Sequence, residues 1–284
     1  MKKRLLKLTT LLTVAALCLG TFAGCGSNGD TEGNNSQASL SGTITLAGST
    51  SMQKVAEALK EGFMEANSGV TVTVEYNGSS AGIEQLLAGT VQIGNASRNL
   101  KDAEKTDGAV ENIIAIDGIA VITHTSNTVT ELTTEELVKI YTGAVTNWKE
   151  LGGEDSPITV VGREAGSGTR GAFEELLEIE DQCAYAQELD STGTVLATVA
   201  ATEGAIGYVS LDVIDDTVAT IKLDGVEPTE ANIVAGDYSL SRPFVMATKG
   251  EISEQDELVK AFFEYIESEE GQAIIKQVGL ILPQ

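Results

Sequence analysis

Histidine is all but missing from this chain: His124 is the only one in 284 residues. With no second imidazole, and no lysine inside the serine-rich stretches, a nucleophilic serine has no base to work with. Cysteine is scarce too. Cys18, Cys25 and Cys183 form no disulfide framework, and no Cys/His spacing or EF-hand loop marks a metal site or calls for a cofactor. Positive charge is the third shortage, with 18 Lys and Arg against 42 Asp and Glu and a formal charge of −24. Such a surface excludes nucleic acid and anionic lipid as partners. It also repels an anion at long range, so an anionic ligand would need strong local donors. After the N-terminal segment there is no internal repeat and no apolar run of 18 residues.

What is present begins with an export signal. Lys2, Lys3, Arg4 and Lys7 precede an apolar stretch from Leu11 to Leu19 and then small residues, so residues 1–24 read as a signal peptide. Ala23-Gly24-Cys25 resembles the lipobox of bacterial lipoproteins, although Phe22 stands where that pattern usually has an aliphatic. The resemblance implies a lipid on Cys25 and an extracytoplasmic chain anchored to the outer face of the cell membrane. The alternative is a soluble secreted chain cleaved near Ala23. Removing the signal takes away four basic residues and no acid, leaving 14 against 42 and a net charge of −28. Residues 25–40 hold Gly, Ser, Asn, Asp and Gln with almost nothing to bury, and read as a flexible tether. Cys183 is left without a partner and reads as a small, mostly buried apolar residue.

The folded part, about 245 residues, is long enough for two α/β domains. It is organised around Gly162-Arg163-Glu164-Ala165-Gly166-Ser167-Gly168-Thr169-Arg170, which ends the β-branched run Ile158 to Val161 and opens a helix expected over Ala172 to Ile179. The first N–H groups of a helix lack internal partners and lie at the positive end of its dipole, so this turn is an anion site in outline. Arg163 adds a planar fork of donors, and Ser167 and Thr169 add hydroxyls. The device occurs twice more. Ile44 to Ala47 runs into Gly48-Ser49-Thr50-Ser51 and a helix expected to Ala66; Val70 to Tyr76 runs into Asn77-Gly78-Ser79-Ser80-Ala81-Gly82 and a helix from Ile83. In open α/β sheets ligands bind beyond the carboxyl ends of strands. Three such ends around one small anion are expected.

Farther along, Asp117 interrupts the apolar run Ile113 to Ile122, and a carboxylate so placed needs donors, a cation or a proton. Thr133 to Glu136 is a capping box before a short helix, and Trp148 reads as a packing anchor. A second helix is expected over Thr194 to Ala201. Ser241-Arg242-Pro243 breaks the chain before a returning strand and two helices, near Glu254 to Ile266 and Glu269 to Gln277, with Leu258, Phe262, Tyr265 and Ile266 as one buried stripe.

Taken together, Ala47 to Ser51, Asn77 to Gly82, Gly162 to Arg170, Gly204-Ala205-Ile206-Gly207-Tyr208-Val209 and Ser241 to Phe244 resemble the phosphate-binding proteins of bacterial phosphate-specific ABC importers, in order and spacing. The resemblance implies an α/β, two-lobed periplasmic-binding-protein-like fold of type II, with the ligand in a cleft between lobes joined by crossing strands. Residues 41–120 and 243–284 would make one lobe and 121–242 the other. It implies inorganic phosphate as ligand, permease subunits of an ABC importer as partners, and a monomeric receptor without enzyme activity. Thr50, the amide of Ser51, Ser79, Arg163, Ser167, Gly168 and Thr169 fall on positions that hold phosphate, with Ser49 in the same first turn. Where well-known members carry an aspartate that accepts the phosphate proton, this chain has Ser97 followed by Arg98. Asp117 is the expected substitute acceptor, with Glu164 the weaker candidate. Other readings are a receptor for sulfate, molybdate or tungstate, and a lipid-anchored adhesin. Gly162 to Thr169 lacks the lysine and glycine spacing of a nucleotide P-loop.

Overall fold

The computed structural model describes residues 40–283, so the signal, the tether and Cys25 lie outside the described residues. The chain opens as repeated strand-helix units. Strand β1 (Ser41–Gly48) passes through a 3-10 turn at Thr50–Met52 into α1 (Gln53–Ala66); β2 (Gly69–Tyr76) leads to α2 (Ser79–Leu87), and β3 (Ile93–Ala96) to the short α3 (Asp102–Thr106). After β4 (Ala109–Val110) comes β5 (Ile113–His124), one 12-residue strand that holds Asp117 near its middle. Then follow β6 (Glu131–Leu132), α4 (Thr134–Tyr141), β7 (Thr159–Arg163), α5 (Gly168–Leu176), β8 (Gln187–Leu189), α6 (Thr192–Ala201) and β9 (Ala205–Ser210). The chain closes with β10 (Val218–Thr220), β11 (Lys222–Leu223), α7 (Glu230–Ala235), β12 (Ser241–Lys249), α8 (Glu257–Glu267) and α9 (Glu269–Gln277).

Ten strands form one mixed sheet along the path β2-β1-β3-β12-β5-β9-β7-β8, with β10 on β5 and β4 on β12; β11 and β6 pair apart. The long β5 crosses the middle. Its first part, Ile113 to Gly118, pairs antiparallel with β12, and its second, Ile119 to Thr123, with β9. A separate apolar core flanks each part. Ile44, Leu59, Phe63, Val72, Ile114, Phe244 and Phe262 pack together on one side, whereas Val121, Ile140, Tyr141, Trp148, Phe173, Ile206 and Tyr208 pack on the other.

The terminal helices join the first core, with the Phe63 and Phe262 rings edge to face at 5.1 Å. The expected stripe is turned by a residue. Val259, Phe262, Phe263 and Ile266 are buried, while Leu258 and Tyr265 are only half-buried. Asp256 accepts from the Leu258 and Val259 amides and caps α8, which starts three residues later than expected. Trp148 is 2 % exposed and its indole N–H donates to the Gly204 carbonyl at 2.9 Å, an anchor within the second core. Cys183 is half-buried, and burial pushes its thiol up to about 11, which keeps it unreactive at neutral pH.

Candidate anion-binding site

The glycine turns bring helix N-termini face to face. Gly48 sits at φ +140°, and a Cβ there would lie 2.1 Å from the Asn95 carbonyl oxygen. That close approach of β1 to β3 lets the Ser49 hydroxyl donate to Ser97 Oγ at 2.8 Å, while Ser49 Oγ caps the turn by accepting from the Ser51 amide. Opposite them, α5 begins at Gly168. A Cβ on Gly168 would lie 2.3 Å from Ser79 Oγ and 2.9 Å from Ser97 Oγ, so the N-termini of α2 and α5 meet without side-chain bulk between them. The Ser80 amide donates to the Gly166 carbonyl at 3.0 Å and fastens the same junction.

Seven buried hydroxyls fill this junction. Ser51 Oγ shares hydrogen bonds with Thr169 Oγ1 at 2.7 Å and Thr192 Oγ1 at 2.9 Å, and Thr50 Oγ1 with Thr192 Oγ1 at 3.1 Å. Ser97 Oγ lies 3.4 Å from Ser79 Oγ and 3.5 Å from Thr169 Oγ1. Among the described residues, no carboxylate or imidazole hydrogen-bonds any of the seven. Each hydroxyl can donate or accept, and each lies at or beside the start of a helical segment or at the end of β3.

Two buried guanidiniums border the cluster. Arg163, at the end of β7, is 2 % exposed; Nη1 donates to Thr192 Oγ1 at 3.2 Å, and Nε and Nη2 donate to the Leu189 and Asp190 carbonyls, each at 3.1 Å. Glu164 pairs with the same fork at 3.2 Å, and its carboxyl is held above the usual range because burial outweighs the pull of Arg163. Arg242, on β12, donates from Nη1 to Thr169 Oγ1 at 2.9 Å and to the Ser97 carbonyl at 2.7 Å. Its Nη2 donates to Asp117 Oδ2 at 2.8 Å, with Asp117 and Arg242 directly opposite in the β5–β12 register. Burial raises the Asp117 carboxyl to about 7 against the opposing pull of Arg242.

The cluster gathers Ser49, Thr50, Ser51, Ser79, Ser97, Arg163 and Thr169, with Gly168 as the close-approach residue. Ser167 stands in the same turn, where its hydroxyl accepts from the Arg170 amide at 3.3 Å and caps α5. Asp117 meets the cluster through Arg242 and, among the described residues, bonds none of the seven hydroxyls itself. The cation opposite it on β12 takes its Oδ2. Sequence reading missed Thr192 and Arg242. Thr192 could have been found in Ser191-Thr192-Gly193-Thr194, whose Ser191 side chain caps α6.

This arrangement resembles known proteins in sequence and in shape. A family model described as a PBP superfamily domain matches residues 33–270. The phosphate-binding protein PstS of Bacillus subtilis (strain 168) is 36 % identical, with 99 % of this chain and 95 % of that protein aligned. A Clostridium perfringens protein assigned as a phosphate ABC transporter substrate-binding protein, solved with bound phosphate, is 42 % identical. It superposes with a TM-score of 0.82 over 86 % of this chain and 100 % of that one. An ABC-type phosphate transport receptor from Vibrio cholerae is 34 % identical, with a TM-score of 0.72 over 85 % of this chain and 100 % of its own. Similarity at this identity and over nearly the full length extends well beyond a shared architecture, and the chain belongs to the PBP superfamily, among the members named phosphate-binding protein PstS.

Proposed function

We propose that this protein captures inorganic phosphate outside the cytoplasm and delivers it to the permease subunits of an ABC importer, as a monomeric receptor anchored through a lipid on Cys25. The observation that carries the reading is the convergence of seven hydroxyls and two guanidiniums on the N-termini of four helical segments, with no carboxylate bonded to the hydroxyls. A tetrahedral oxyanion suits such a donor set, since unpaired first-turn amides, serine and threonine protons and an arginine fork all point positive charge inward. In this reading Ser49, Thr50, Ser51, Ser79, Ser97, Arg163, Ser167, Gly168, Thr169, Thr192 and Arg242 surround the phosphate, and the Ser167 hydroxyl also caps α5.

Binding exchanges hydroxyl–hydroxyl bonds for hydroxyl–oxyanion bonds. The exchange is favourable because a bond to an ionised acceptor is roughly twice as strong as a neutral one. Residues 41–120 with 243–284, and 121–242, act as the two lobes, and the anion is held where Ser51 and Ser79 of one face Thr169 and Thr192 of the other. The chain performs no chemistry on it.

A second oxyanion is favoured by one feature. Sulfate is excluded most strongly by an ionised acceptor that repels its bare oxygens, and here Ser97 offers a hydroxyl that can turn its proton either way. Equilibrium dialysis of the mature chain with radiolabelled phosphate, with unlabelled sulfate as competitor, tests both readings. Saturable phosphate binding that sulfate does not displace is the expected result. Equal displacement by sulfate would make this a general tetrahedral-oxyanion receptor, and no retention of phosphate would overturn the proposal.

A further inference from the structure

Behind Arg242 lies a pair of acids that the phosphate reading leaves unexplained. Asp117 Oδ1 and Asp212 Oδ2 are both buried, and neither has a hydrogen-bond partner. Donors nearby are already committed. Ser210, the last residue of β9 and opposite Ile119 of β5, gives its one hydroxyl proton to Asp212 Oδ1 at 2.6 Å, and Arg242 Nη2 gives to Asp117 Oδ2. Lys54, reaching over from α1, donates to the Asp212 and Val278 carbonyls. The charged groups that act on the pair are Arg242 from β12 and Lys54 from α1, and Arg163 from β7 acts on Arg242. Two ionised carboxylates served by one buried guanidinium would leave two sealed oxygens unsatisfied and excess negative charge buried next to an anion site.

We propose that Asp117 and Asp212 hold one proton between them, and that this proton sets the charge Arg242 presents to an anion at the hydroxyl cluster. The pair then carries one negative charge instead of two, as like-charged carboxyls that act on each other in a buried site do. Burial raises both carboxyls from the ordinary aspartate range, Asp117 to about 7. With the proton in place, one carboxylate balances Arg242 and no second negative charge lies behind the site. Without it, the second negative charge lies behind the site. Phosphate affinity then falls on the order of tenfold as pH rises through the pair's titration, beyond the change caused by phosphate's own ionisation. Linkage gives the sign in reverse: a bound anion favours the protonated pair and raises its midpoint.

The consequence for phosphate rests on the function proposed above, while the proton itself does not. The test is carbon-13 NMR of the ligand-free mature protein labelled at its aspartate carboxyls, titrated against pH. One carboxyl titrating near pH 7, and missing from both Asp212→Asn and Asp117→Asn, is the expected result. If all aspartate carboxyls of the unmutated protein finish ionising below about pH 5, both acids are ionised in the folded state and the pair holds no proton. Saturating phosphate is expected to raise the midpoint by about one unit. An unmoved midpoint in phosphate-saturated protein would overturn the link to Arg242. Failure to bind phosphate at all would overturn the function instead, and the titrating carboxyl would still report the pair.

Discussion

Thr169 carries more of the site than its size suggests, since its hydroxyl contacts Ser51 and Ser97 and accepts from Arg242. Thr169→Val keeps the shape and deletes those bonds. A hydrogen bond to a charged group is worth about 1.5–3 kcal/mol, so phosphate affinity is expected to fall about 10- to 100-fold in calorimetry, with little change in fold. Asp117 acts on stability instead. Asp117→Ala leaves the Arg242 guanidinium buried without its carboxylate, and urea unfolding of the ligand-free protein is expected to show a loss of about 3–5 kcal/mol. How much of this was legible depends on the range of the interaction. Ser49, Thr50, Ser51, Ser79, Arg163 and Thr169 stand within short glycine-rich turns, where local sequence carries the chemistry. The isolated acid at Asp117 announced that it needed a cation or a proton. Its cation, Arg242, lies 125 positions away, and only the β5–β12 register brings the two together.

At the scale of elements, the site is a meeting of helix starts held at strand ends. Three of them could be read because a β-branched run, a Gly/Ser/Thr turn and a helix follow one another in sequence. The fourth, α6, follows the three-residue strand β8 and begins two residues before its expected start, so Thr192 went unnoticed. The buried side of α8 was similarly hard to place, because Leu258 and Val259 are adjacent apolar residues and only tertiary packing decides that Val259 is the more buried. The junction of α2 and α5 gives the sharpest test at this scale. Gly168→Ala puts a methyl 2.3 Å from Ser79 Oγ, so the two N-termini are forced apart. Overpacking of this kind costs about 1–3 kcal/mol, and phosphate affinity is expected to drop by roughly that equivalent, 10-fold or more. An unchanged isotherm for this variant would show that the anion does not sit between these two helices.

Among the described residues, the two larger apolar cores pack along a sheet whose strand β5 contributes to both, and the donors sit where elements around those two cores meet. Around that junction lies a strongly acidic protein, with 42 acids in the sequence. On the function proposed here, the acidic exterior opposes the approach of an anion, and the buried arginines and hydroxyls hold it after arrival. Raising salt from about 10 to 150 mM shortens the screening length from about 30 to 8 Å, so the association rate of phosphate in stopped flow is expected to rise with salt. A fall with salt would mean that the local cations govern approach as well as retention. The central claim concerns place, and arsenate, which shares phosphate's shape and charge, reports place directly. In crystals of the mature protein grown with arsenate, the arsenic anomalous signal is expected as one peak within hydrogen-bond reach of Ser51, Ser79, Arg163 and Thr169. A peak elsewhere on the molecule, or none at saturating arsenate, would contradict the account.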